Sequence, residues 1–281
     1  MKKFLSNEKV KKILYGILAF VLGLCITLGS ICAILRFTVL NKGFLSDTLN
    51  NSNYYTDLCD EITDDLINLG DASGLDKSFF EGFIDEVFVR EDVQDYINKF
   101  YSGEKLKVNP RHFNESLRAA LDTYIQSKHM SSKDYSQSNV NYFINEATKI
   151  YTKNIELKYF DAIQNIIAKY SLRLTVALVV CCIIAVAACL VFIFTNQWKH
   201  KSIRYIAYSV GASALLTLII PLSVYISGAL NKLTIISRSL NDMYTTCLNS
   251  LLVDVMIVSG VLFIFYAALI ILHNKIRTKA T

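Results

Sequence analysis

A chain of 281 residues could fold as one or two soluble domains, yet 53% of it is hydrophobic, only two residues are proline, and 29 basic side chains stand against 24 acidic ones. The apolar residues fall in four blocks of about 20 residues, nearly free of charge, the length that ~30 Å of hydrocarbon demands at ~1.5 Å per residue. This excludes a soluble enzyme, a disulfide-rich secreted domain and a disordered tail, and also a β-barrel, whose strands would be about half as long and alternate in polarity.

In chain order, residues 1–12 form a basic tail carrying Lys2, Lys3, Lys9, Lys11 and Lys12. Transmembrane helix 1 is expected over 13–40, with its apolar run at Ile13–Leu35. That run exceeds the ~7–15 residues of a signal-peptide core, and no small-x-small cleavage site follows it. Leu24 and Ile31 precede Cys25 and Cys32 where a lipid-modified cysteine would need a small residue. The block is therefore expected to be a retained span.

Residues 41–172 hold 21 of the 24 acids and 14 basic residues, a net of −7, and the remainder nets +12. The mild overall basicity is the sum of two opposed regions and argues against a nucleic-acid partner. Helical spacing runs through this segment, so it is expected to be an all-helical extracytoplasmic domain inserted between spans one and two. Leu45, Leu49, Tyr55, Leu58, Ile62, Leu66 and Leu69 make one apolar stripe with a longer step at Ser52, which predicts a single helix continuing outward from span one until Gly70 and Gly74. Asp57, Asp60, Glu61, Asp64 and Asp65 line its other side. Without an Asp-x-Asp-x-Asp-Gly pattern that strip reads as a solvated face, not a calcium site.

A short helix is expected at Ser78–Phe88 and another at Glu91–Tyr101. Asn109 is placed to cap a further helix, with Pro110 in its first turn where the missing N–H costs nothing. Ser138 is expected to cap the last helix, whose seam (Val140, Phe143, Ala147, Tyr151, Ile155, Tyr159, Ile163, Ile166, Tyr170) runs into span two. The loops 102–109 and 128–137 are polar.

Transmembrane helix 2 is expected over 173–196, a cytoplasmic loop over 197–204 with Trp198 as an interfacial anchor, and transmembrane helix 3 over 205–227, bent by Pro221. Residues 228–250 carry a stripe of Leu230, Leu233, Ile236, Leu240, Tyr244, Cys247 and Leu251. They predict an extracytoplasmic amphipathic helix, lying on the membrane or docked on the outer domain. Transmembrane helix 4 follows at 251–272 and a basic tail at 273–281. The tail 1–12, the loop and the final tail together hold 11 basic residues, with Glu8 as the sole acid, so both termini are expected in the cytoplasm. Richness in Lys, Ile, Asn and Tyr is the bias of an AT-rich bacterial genome, which points to a plasma membrane.

Chemistry-bearing residues are sparse. His-Glu-x-x-His, paired Cys-x-x-Cys, Gly-x-Ser-x-Gly and phosphate-cradling glycine loops are all lacking, so no catalytic residue, metal or cofactor is expected, and no enzyme. Cys59 and Cys247 alone would face an oxidising side and form a candidate disulfide. Asp254 is the one acid inside a span and is expected to pair locally with Arg36 or Arg173 near the outer boundary. Small residues recur at Ala19 and Gly23, at Ala177, Cys181, Ala185 and Cys189, and at Ser209, Ser213 and Thr217. Such ridges allow close helix packing within the chain, with a protein partner or in a homo-oligomer. The expected role is a multi-pass membrane protein that binds a ligand or partner through its outer domain and relays or scaffolds through its helices. The alternative is a channel, a transporter or an accessory subunit of one.

Overall fold

The computed structural model describes residues 8–129, 136–157, 160–195, 199–230 and 237–280. Trp198, Tyr159, Leu233, Ile236 and most of the 128–137 loop, singled out above, lie outside them. Among the described residues the chain is helical, without strands: α1 Glu8–Phe37, α2 Lys42–Asn50, α3 Tyr54–Ser73, α4 Glu86–Ser102, α5 Arg111–Ser127, α6 Gln137–Ile155, α7 Phe160–Thr195, α8 Lys199–Ser227 and α9 Arg238–Ala280. Four of these stretches are long and apolar enough to cross a membrane: those in α1, α7, α8 and α9. The chain divides into two compact units. An apolar unit comprises Met1–Asn41, Lys169–Leu233 and Cys247–Thr281, and a polar unit comprises Lys42–Ala168 and Thr234–Thr246.

In the polar unit α3 is the spine. Tyr55, Leu58, Ile62 and Leu66 recur at three- and four-residue steps and are almost wholly buried. They form a stripe of the kind a core-facing helix needs. Against it lie the buried faces of α4 (Val89, Val93, Ile97) and α6 (Phe143, Ala147, Ile155), and α5 (Leu117, Leu121) packs in turn on α6. Each fully buried aliphatic side chain contributes about 1.5–3 kcal/mol to folding.

The single outward helix expected from Leu45 to Leu69 is instead two helices, with a turn separating them from α1. Thr38 Oγ1 donates to Ile34 O (2.6 Å) as α1 ends. Between α2 and α3, Ser52 Oγ donates to Leu49 O (3.0 Å) and accepts from Tyr54 N–H (3.2 Å). In the run Asn50-Asn51-Ser52-Asn53 short polar side chains compete with the backbone ladder, and the helix breaks there. Gly74, at φ +76°, closes α3 in the left-handed conformation. Gly70 does not end the helix but lies inside it, and the Phe80 ring occupies the space a Cβ there would need.

The expected helix at 78–88 reduces to a 3₁₀ turn, Lys77–Phe79. Asp85 then caps α4 by accepting from Val87 N–H (2.8 Å). Asn109 does accept a backbone N–H, from Arg111 (3.3 Å). The cap of α6 is Ser136, two residues before the expected one, accepting from Ser138 N–H (3.2 Å). The seam expected to run unbroken into span two stops at Ile155, where Glu156 turns to extended backbone (ψ 105°).

The apolar unit is built on small residues and rings. Ser209 Oγ donates to Ala19 O (2.7 Å) and Ser213 Oγ to Gly23 O (2.8 Å), so the two expected ridges meet. Both partners advance by four residues, hence α1 and α8 run parallel. Against α8, α9 runs the other way: Thr217 Oγ1 accepts from Ser259 Oγ (2.9 Å), Gly211 lies against the Tyr266 ring, and His200 O meets His273 Nδ1 (2.7 Å). Likewise α7 is antiparallel to α1, with Cys181 beside Gly29 and Phe192 beside Tyr15. Tyr15, Phe192 and Tyr205 cluster with ring centroids 5.7–6.0 Å apart. The four helices therefore alternate in direction. Lys11, Lys12, Lys201, Arg204, Lys275 and Arg277 all belong to the same end of this unit.

Candidate functional site

The acidic strip of α3 is solvated at Asp60, Asp64 and Asp65, which are exposed, but part of it, at Glu61 and Asp57, is a contact surface. Glu61 receives the first turn of α9: Oε2 accepts from Ser239 Oγ (2.6 Å) and Ser237 Oγ (3.0 Å), and Oε1 accepts from the backbone N–H groups of Arg238 and of Ser239 (3.3 Å). A carboxylate at a helix N-terminus satisfies N–H groups that have no partner in the helix and meets the positive end of its dipole. Asp64 adds an ion pair with Arg238 (3.6 Å). The exchange is reciprocal, since Asp242 on α9 accepts from Asn53 N–H at the start of α3 (2.9 Å). Burial, and after it the facing Asp242 carboxylate, raises the Asp57 carboxyl above its ordinary range. Residues 237–246 are thus docked in the polar unit, one of the two placements expected. Among the described residues of that segment the helix is not separate from the fourth apolar stretch: from Arg238 onward it continues unbroken into it.

A second polar hold secures α7. The Gln164 amide donates to Lys99 O (3.1 Å), Phe100 O (3.1 Å) and Glu104 O (3.0 Å) around the end of α4, where Gly103 adopts φ +78°. Of these, Phe100 O belongs to the last turn of α4, where carbonyls lack partners within the helix, Lys99 O also accepts from Glu104 N–H (3.0 Å), and Glu104 lies beyond the helix end. Both helices of the polar unit that run on into the apolar unit are therefore held near their starts by side-chain hydrogen bonds.

An aromatic cleft lies between α4, α5 and α6, lined by Phe83, Phe88, His112, Phe113, Ser116 and Tyr151. Phe113 stacks on Tyr151 (4.3 Å) and His112 on Phe88 (4.4 Å). Its void of about 30 Å³ suits a water, not a metabolite. At its wall Tyr151 Oη donates to Asp92 Oδ2 (2.5 Å). Burial raises Asp92 against the pull of this hydrogen bond, and burial together with the Asp92 carboxylate raises the Tyr151 phenol. The Tyr54 hydroxyl, fully buried at the start of α3, has no hydrogen-bond partner among the described residues.

The residues singled out in the sequence fall elsewhere. Cys59 and Cys247 are thiols in the structure, and burial, followed by nearby carboxylates led by Glu86, pushes the Cys59 thiol up to about 12. Asp254 is half-buried in α9 and joins none of the ion pairs among the described residues. Arg36 sits in the last turn of α1, and the Arg173 guanidinium lies over the Tyr170 ring, three residues back on its own helix (5.2 Å). None of the ion pairs among the described residues joins Asp254 to Arg36 or Arg173. Among the described residues no cluster of His, Cys, Asp and Glu could hold a metal.

Sequence reasoning missed Glu61, Gln164 and Asp92. For Glu61 a signal existed: Ser237-Arg238-Ser239 opens a helix and offers hydroxyls and N–H groups to an acid. Gln164 and Asp92 gave none. Compared with protein families, curated proteins and solved structures, the chain matches none.

Proposed function

We propose that the chain is a multi-pass plasma-membrane protein that carries its polar helical unit on the outer side, with both termini in the cytoplasm, and uses that unit to bind a ligand or protein partner. The observation that carries this reading is the gathering of Lys11, Lys12, Lys201, Arg204, Lys275 and Arg277 at one end of four helices alternating in direction. Basic residues beside spans stay on the cytoplasmic side, which assigns that end. The paired holds at Glu61 and Gln164 support a role in which an event at the helical unit reaches α7 and α9, the two helices it shares with the apolar unit.

Engineered thiols test it in intact cells with a membrane-impermeant maleimide that carries a photo-crosslinker. Ser127→Cys, on the exposed end of α5, should react without permeabilisation and give a discrete adduct on illumination. Asn274→Cys should react only after permeabilisation. The reverse pattern of labelling overturns the sidedness, and a labelled Ser127→Cys that yields no adduct counts against a partner.

A further inference from the structure

We infer that the groove between α1 and α8 holds an acyl chain of an anionic phospholipid whose headgroup sits between Lys12 and Lys201. The groove, of about 190 Å³, is lined by Ala19, Phe20, Gly23, Leu24, Tyr208 and Ala212, and ends at Leu216. Small residues form its floor, Ser209 among them, its hydroxyl turned onto Ala19 O, so the lining is overwhelmingly apolar. Phe20, Leu24, Tyr208 and Leu216 stand out as its walls. From Tyr208 to Leu216 it runs ~12 Å along the helix, close to the ~15 Å depth of one leaflet of hydrocarbon.

Charge at one end selects the occupant. Lys12 lies seven residues before Ala19, and Lys201 seven before Tyr208. Seven residues are two helical turns, so each lysine shares its helix's groove face, ~10 Å further along. Because α1 and α8 are parallel, both lysines stand at the same end, and both are exposed. The path from groove to lysines is open at Gly16, where a Cβ would meet nothing within 4 Å. An apolar slot of leaflet depth leading to two ammonium groups complements a phospholipid with net negative charge, and basic pockets beside membrane helices bind such headgroups. A zwitterionic lipid would fill the slot without that gain.

The test uses the full chain in detergent micelles, loaded with equimolar phosphatidylglycerol and phosphatidylcholine of identical acyl chains and read by native mass spectrometry. Wild type should retain one phosphatidylglycerol with about a tenfold preference. The double variant Lys12→Gln/Lys201→Gln should bind both lipids equally. Ala212→Phe, which fills the exposed groove without entering the α1–α8 contact, should lose the retained lipid of either kind. Equal retention by wild type overturns the inference, as does an Ala212→Phe protein that keeps its lipid; a melting temperature matching wild type certifies that each variant is folded.

Discussion

Asp92 shows how one side chain sets a pH dependence. Burial holds its carboxyl above the ordinary value, so the folded chain binds this proton more tightly than the unfolded chain does. The stability it contributes is present below the unfolded value and is lost as pH rises through the folded one. Ionised Asp92 is therefore a cost at neutral pH. In Asp92→Asn the amide oxygen can still accept from Tyr151 without a charge to desolvate. The variant should melt no lower than wild type at pH 7, and its melting temperature should change less between pH 4 and 7. A variant that melts several degrees lower at pH 7 would show that the charge itself is required. Cys59 follows the same physics: a thiol pushed up to about 12 is a poor nucleophile at neutral pH and slow to enter disulfide exchange.

At the scale of elements, apolar periodicity was legible and interruptions were not. The stripe Leu58, Ile62, Leu66 was readable because a buried helix face repeats every three to four residues. The break at Ser52 fell on the one irregular step, and there local hydroxyl bonds outweighed the pattern. The small ridges of α1 and α8 were readable, and they do meet. The acid strip is a solvated face at Asp60, Asp64 and Asp65, as its charge suggests, but not at Glu61, because charge alone does not say whether water or another helix faces it. Glu61 decides the matter, and its loss should be visible. Glu61→Ala leaves the first turn of α9 without its acceptor, which for a lost cap costs about 0.5–2 kcal/mol. Amide hydrogens at 238–242 should then exchange about 2- to 30-fold faster, with little change in α5; unchanged exchange would mean the bonds at Glu61 do not hold the turn.

For the whole molecule, four alternating spans are enough to anchor a helical unit but offer little for a permeation path. Asp254 is the lone acid within the stretches 13–40, 173–196, 205–227 and 251–272, and the hydroxyls of Ser209, Ser213, Thr217 and Ser259 are already engaged with backbone or with one another. A relay of ions or protons calls for further polar groups at that depth. Liposomes bearing the wild-type chain or Asp254→Asn should therefore leak ions no faster than empty ones. Wild-type flux that Asp254→Asn abolishes would move the reading to transport.

The seam between Ala19–Gly23 and Ser209–Ser213 joins residues 190 positions apart. At roughly 5–20 residues per second of synthesis, the first span waits about 10–40 s beside the translocon before its mate exists. During that interval the small-residue face at Ala19 and Gly23 lacks the serine ridge that packs on it, and its carbonyls accept only within α1, as Gly23 O does from Thr27 Oγ1 (3.0 Å). Assembly of the apolar unit thus waits on the third apolar stretch. Slowing translation between the first and third spans should lower the yield of correctly assembled chain more than slowing it after Ser213.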